Sequence, residues 1–121
     1  MVGGDRLLRS AWSDPSRLTP EVLAGYRAPM QVADWDRALW ELSVAREERD
    51  WPENWKGIQV PALIVTGEDD RIVPVEDSAR LAAEMPRASL VVLADCGHVA
   101  HEECPGPFLQ ATTQFLASLA P

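Results

Sequence analysis

Val60-Pro61-Ala62-Leu63-Ile64-Val65-Thr66 is a short, continuous apolar run, the pattern of a strand buried on both faces. A proline so near its beginning is compatible with that assignment. Downstream, Val75 to Met85 places Ala79, Leu81, Ala82 and Met85 at helical spacings, and Pro86 stops the helix. Ser89 to Ala94 is a second buried-looking run, and Pro105 opens a last helix in which Phe108, Ala111, Phe115 and Leu119 recur at spacings of three and four. Strand, crossover helix and strand imply a parallel pair, joined by a right-handed connection.

Parallel strands end on the same edge, and open α/β sheets bind their ligands there. Asp70 lies four residues beyond Thr66, and His98 lies four beyond Ala94. Neighbouring strands run about 4.8 Å apart, so two loops of equal depth can bring the carboxylate to the imidazole. That pair has a chemistry: a neutral imidazole is a good base near neutral pH, and a carboxylate on one ring nitrogen fixes its tautomer and stabilises the imidazolium. Taken alone, Asp69 and Asp70 also read as ordinary turn residues, and His98 as a loop histidine. The matched positions on one edge favour Asp70 and His98 as catalytic acid and base, with Asp69 a neighbouring turn residue.

A nucleophile for such a pair stands on a tight strand-to-helix turn of the G-x-S-x-G type. None of the seven serines, at 10, 13, 16, 43, 78, 89 and 118, has flanking glycines in that spacing, and neither do Cys96 and Cys104.

The remaining features bound the answer. A length of 121 residues allows one small domain, and 46% hydrophobic with 25% charged residues describes an ordinary globular chain. A net charge of −8 repels phosphates and anionic membrane surfaces, which argues against nucleic acid and membrane as partners. The chain shows no signal-like or membrane-length apolar segment, so a cytoplasmic address is expected. In that compartment Cys96 and Cys104 are expected as reduced thiols. His101, three residues after His98, lacks enough neighbouring ligands for a metal site and reads as a loop residue. Neither metal nor cofactor is expected.

Composition changes near Gly57. Residues 1–57 hold all five tryptophans and read as helices joined by proline turns. Thr19-Pro20-Glu21 is a helix start that runs to about Ala28. Asp34 or Asp36 opens a second helix to about Arg49, with Trp35, Leu39 and Leu42 on one stripe and Trp40 and Val44 flanking it. Trp12, Trp35, Trp40, Trp51 and Trp55 could line an apolar pocket, but packing is the favoured reading for Trp35 and Trp40, whose helix must bury a face.

Gly67-Glu68-Asp69-Asp70-Arg71-Ile72-Val73-Pro74 resembles the acid loop of the α/β-hydrolases, the lipase, esterase, dehalogenase and meta-cleavage hydrolase group. Asp95-Cys96-Gly97-His98, followed by Glu102, resembles their histidine loop. The resemblance covers residues 59–119 well and the upstream part loosely. It implies an α/β fold: residues 58–121 as the C-terminal part of an α/β-hydrolase sheet, two parallel strands with crossover and C-terminal helices, and residues 1–57 as a helical cap, or lid, segment. It further implies a hydrolase of small ester-like or related substrates acting through a nucleophile–His–Asp triad. This chain holds the Asp and His of that triad, as a truncated form would, and is expected to be inactive alone. A non-catalytic binding module and one chain of a two-chain hydrolase are the alternatives. An incomplete sheet also expects neighbours, so association through its open edges is anticipated.

Overall fold

The computed structural model describes residues 3–47 and 55–119. Trp51, and the helix end expected near Arg49, lie outside the described residues. Contacts divide the chain into two units, one formed by Met1–Arg17 with Asn54–Pro121 and the other by Leu18–Glu53. Residues 3–17 thus group with the C-terminal unit, although their composition resembles the helical segment that follows them.

In the first unit, helix α1 spans Gly3–Ser10. The apolar runs form β1 (Ala62–Gly67) and β2 (Ala88–Leu93). They pair in parallel from Ala62 opposite Ala88 to Gly67 opposite Leu93. The crossover helix covers Val75–Glu84, and the last helix covers Pro105–Ser118; both pack on the two strands. A single helical turn, Ala100–Glu103, precedes the last helix. In chain order, with the second unit's two helices counted as α2 (Pro20–Arg27) and α3 (Trp35–Glu47), these are α4, α6 and α5 respectively.

The buried core of this unit lies beneath the loop after β2: Leu93, Cys96, Ala100 and Cys104, with Val65, Val91 and Phe108 packed against them. The strands themselves are less buried than their unbroken apolar sequence suggests. Ser89 and Val92 of β2 are exposed, Val92 at 44%. A two-stranded sheet, all that the described residues form, leaves strand side chains uncovered that a parallel sheet ordinarily buries on both faces.

Cys96 and Cys104 are joined by a disulfide, which corrects the expectation of reduced thiols. Asp95 turns with φ 53°, α5 folds the chain back, and the two Cα atoms come within 6.2 Å, inside disulfide range. Sequence separation alone does not contain that approach.

In the second unit, the Thr19 hydroxyl accepts from the Val22 amide at 3.3 Å, capping α2 as expected. Asp34 adopts φ 59° immediately before α3, and its carbonyl accepts from Ala38 at 2.9 Å. The face of α3 is not packed away: Trp35 is 39% and Trp40 70% exposed, which corrects the packing expectation for both. Trp35, Leu39 and Leu42 instead join Tyr26, Met30 and Val32 around an open apolar cavity of about 490 Å³. By contrast Trp12, in the first unit, is 3% exposed.

Gly67 ends β1 against the following loop so closely that a Cβ there would lie 2.2 Å from the carbonyl oxygen of Cys96 and 2.3 Å from that of Gly97. Both obstacles are backbone, so neither can swing aside. Gly67→Ala is expected to destabilise the chain by about 1–3 kcal/mol or more, the scale of overpacking, read as a lower urea midpoint; an unchanged midpoint contradicts this close approach.

Candidate active site

The parallel register decides where the two loops begin. With Gly67 opposite Leu93, Asp70 comes three residues after its strand and His98 five after its own. The loops are therefore unequal in length, unlike the sequence expectation, and the left-handed turn at Asp95 takes up the longer one. The Asp69 amide donates to the Cys96 carbonyl at 2.8 Å, which binds the two loops together at their bases.

The result brings the predicted pair into contact: His98 Nδ1 lies 2.9 Å from Asp70 Oδ2. Oδ1 of the same carboxylate accepts from the amides of Ile72 and Val73, both at 2.9 Å. The Asp70 side chain is 6% exposed, whereas that of His98 is 39% exposed. Burial acts to raise the Asp70 carboxyl, but the amides of Val73 and Ile72 and the His98 ring outweigh it and hold the group below its ordinary value. Asp70 thus stays ionised and fixed on both oxygens. When Nδ1 carries the ring proton it donates to Asp70, leaving Nε2 as the free base on a partly open imidazole.

His101 is not a loop residue; it belongs to α5, with its ring 6.0 Å from that of Phe108 and Nε2 3.5 Å from Glu102. Among the described residues no group of three or more His, Cys, Asp or Glu side chains could hold a metal ion. Glu102, quoted with the histidine loop, pairs with this neighbour, and the acid that reaches back into the loop is Glu103, which accepts from the Gly97 amide at 2.8 Å. Three further residues at this edge carry no signal in the local pattern. The His98 amide donates to the Ala11 carbonyl at 2.7 Å, the Ser13 hydroxyl donates to Asp69 at 2.5 Å, and the Asp14 amide donates to Glu103 at 2.8 Å. The Ala11 and Asp14 contacts span nearly ninety residues and the Ser13 contact 56, all beyond any periodicity argument.

The chain belongs to the alpha/beta hydrolase family, whose profile matches residues 2–111. An uncharacterized hydrolase of Bacillus subtilis, YugF, is 38% identical over 92 residues, covering 76% of this chain and 34% of YugF. A 2-hydroxy-6-oxo-6-phenylhexa-2,4-dienoate hydrolase of Burkholderia cepacia is 30% identical over 118 residues, covering 94% of this chain and 36% of the relative. Among solved structures, a serine hydrolase involved in carbazole degradation (CarC) superposes with a TM-score of 0.75 at 25% identity, over 93% of this chain and 45% of that one. The two-stranded parallel sheet and its helices are thus part of an alpha/beta hydrolase domain. The chain spans about a third of the length of the curated relatives it matches.

The lowered Asp70 carboxyl links this contact to pH. A carboxyl whose folded value is depressed adds stability that is fully present above the ordinary carboxylate value, about 4, and lost as pH falls through the lower folded value. Denaturation midpoints measured through that acid range should therefore fall more steeply for the parent chain than for Asp70→Asn; parallel curves would contradict the assigned hydrogen bonds.

Proposed function

We propose that this chain supplies the acid and the general base of a nucleophile–His–Asp hydrolase. The observation that carries this reading is the 2.9 Å contact between His98 Nδ1 and a buried, doubly anchored Asp70. In this role His98 takes the proton of the attacking group through Nε2 and later returns it to the leaving group, while Asp70 stabilises the imidazolium between the two transfers. The nucleophile and the donors that stabilise the oxyanion come from outside these 121 residues, which contain no G-x-S-x-G turn. The chain alone is accordingly inactive.

Small ester-like and related compounds are the substrate class. Among these, the names of several relatives favour 2-hydroxy-6-oxo-dienoates of the kind that the Burkholderia cepacia and Comamonas testosteroni hydrolases are named for. Of residues 1–57, the separate unit Leu18–Glu53 acts as lid, and the open apolar cavity beside Trp35, Leu39 and Leu42 gives such a lid a surface suited to a nonpolar substrate.

The isolated chain should turn over neither an activated ester nor a 2-hydroxy-6-oxo-dienoate above a buffer control. Joined to the upstream half of a relative carrying the nucleophile turn, it should acquire activity that Asp70→Asn or His98→Ala lowers by roughly 10³–10⁴-fold. Turnover by the isolated chain that disappears in His98→Ala would overturn the external nucleophile. Activity of the joined protein that survives both substitutions would overturn the assigned pair.

A further inference from the structure

Glu103 is a carboxylate with an unusual set of partners. It ends α5, is 6% exposed, and accepts three backbone hydrogen bonds. Oε2 takes the amides of Gly97 at 2.8 Å and Ser13 at 2.9 Å, and Oε1 takes the amide of Asp14 at 2.8 Å. All three partners are donors, and a carboxylate is the side chain that meets three donors with acceptors alone.

These bonds fall beside His98. The Gly97 amide is held by Glu103, and the next amide, that of His98 itself, is held by the Ala11 carbonyl at 2.7 Å. Two consecutive backbone donors of the histidine loop are therefore tied to one short segment, residues 11–14, either directly or through Glu103. The same segment reaches the acid loop through the Ser13 hydroxyl on Asp69. Gly97 packs so tightly here that a Cβ would stand 2.5 Å from the Ala11 carbonyl oxygen and 2.6 Å from the Ser13 nitrogen.

We infer that Glu103 is a positioning residue for His98. It fixes the Gly97–His98 backbone against residues 11–14, at the height where Nδ1 meets Asp70. This deepens the proposed function and rests on the Asp70–His98 pair being the working one. A glutamine cannot substitute: with its oxygen at the Oε2 position it can still take Gly97 and Ser13, but its NH₂ then confronts the Asp14 amide, donor against donor. Leaving one buried donor unmet is enough to loosen the segment.

The test uses the 121-residue chain, isotope-labelled, as parent, Glu103→Gln and Asp70→Asn. The readouts are amide hydrogen exchange and the His98 Nδ1 proton resonance, which is visible while Asp70 holds that proton from solvent. Glu103→Gln should speed exchange at Gly97, Ser13 and Asp14 by roughly tenfold or more. It should also remove the Nδ1 resonance, as Asp70→Asn does, while amides of β1 and β2 exchange as in the parent. A folded Glu103→Gln chain that keeps the resonance overturns the positioning role and leaves the pair intact. A resonance that survives Asp70→Asn overturns the pair, and the positioning role with it. If Glu103→Gln also exposes the strands, Glu103→Asp decides, because the shorter carboxylate cannot span all three amides. A displaced or broadened Nδ1 resonance with protected strands supports the role; a parent-like resonance overturns it.

Discussion

The close backbone approach between the end of β1 and the loop after β2 is the constraint on which the Asp70–His98 contact depends. Gly67 faces the carbonyls of Cys96 and Gly97 at a separation that excludes any side chain. The Asp69 amide closes the same gap by donating to Cys96. With the loop bases locked together, the positions of Asp70 and His98 are no longer independent. A carboxylate three residues from one strand and an imidazole five residues from the other meet because their backbones are already in register. Rotamer choice has only a short distance left to cover.

Around that contact the chain distributes its burial unevenly. Buried side chains collect under the histidine loop, where Leu93, Cys96, Ala100 and Cys104 form one cluster, and the Cys96–Cys104 disulfide closes the loop across its ends. On the proposed reading this loop carries the proton-transfer group and gains from such support, since small displacements of the ring change the chemistry greatly. The tryptophans of the second unit follow the opposite pattern. Trp35 and Trp40 stand open to solvent to a degree unusual for residues of their size, so the apolar face of α3 adds little core to its own unit and leaves nonpolar surface available.

The sequence made the strands, the crossover helix and the Asp70–His98 pair legible, because each rests on a local pattern joined by one topological rule. Continuous apolar runs mark strands, parallel strands share an edge, and loops from one edge converge. What stayed illegible depends on the path of the chain between distant points. Glu103 looks like one of two adjacent surface acids until residues 13 and 14 arrive against it. The disulfide requires the turn at Asp95, a non-glycine in the left-handed region, which residue type suggests only weakly. Trp12 and Trp40 cannot be ranked by composition, yet one is 3% and the other 70% exposed. His101 reads as loop because α5 is a single turn, too short for periodicity to register.

The half-open strands and the missing nucleophile turn share a physical root on the proposed reading. A nucleophile turn leads out of a strand of the same parallel sheet, at the same edge as the acid and the base. The described residues provide two strands, and each already carries one member of the pair. A third catalytic group at that edge therefore needs another strand, and another strand is also what would cover Val92 and pair the open backbone beside β1 or β2. Completing the sheet and completing the triad become the same structural event. On that reading a chain can hold an acid and base in contact while leaving its sheet only half covered: the loop contacts are satisfied within the chain, whereas the strand faces await a neighbouring strand. The local precision of Asp70 and His98 then reflects the lock between Gly67 and the histidine loop, whose contacts lie wholly within this chain.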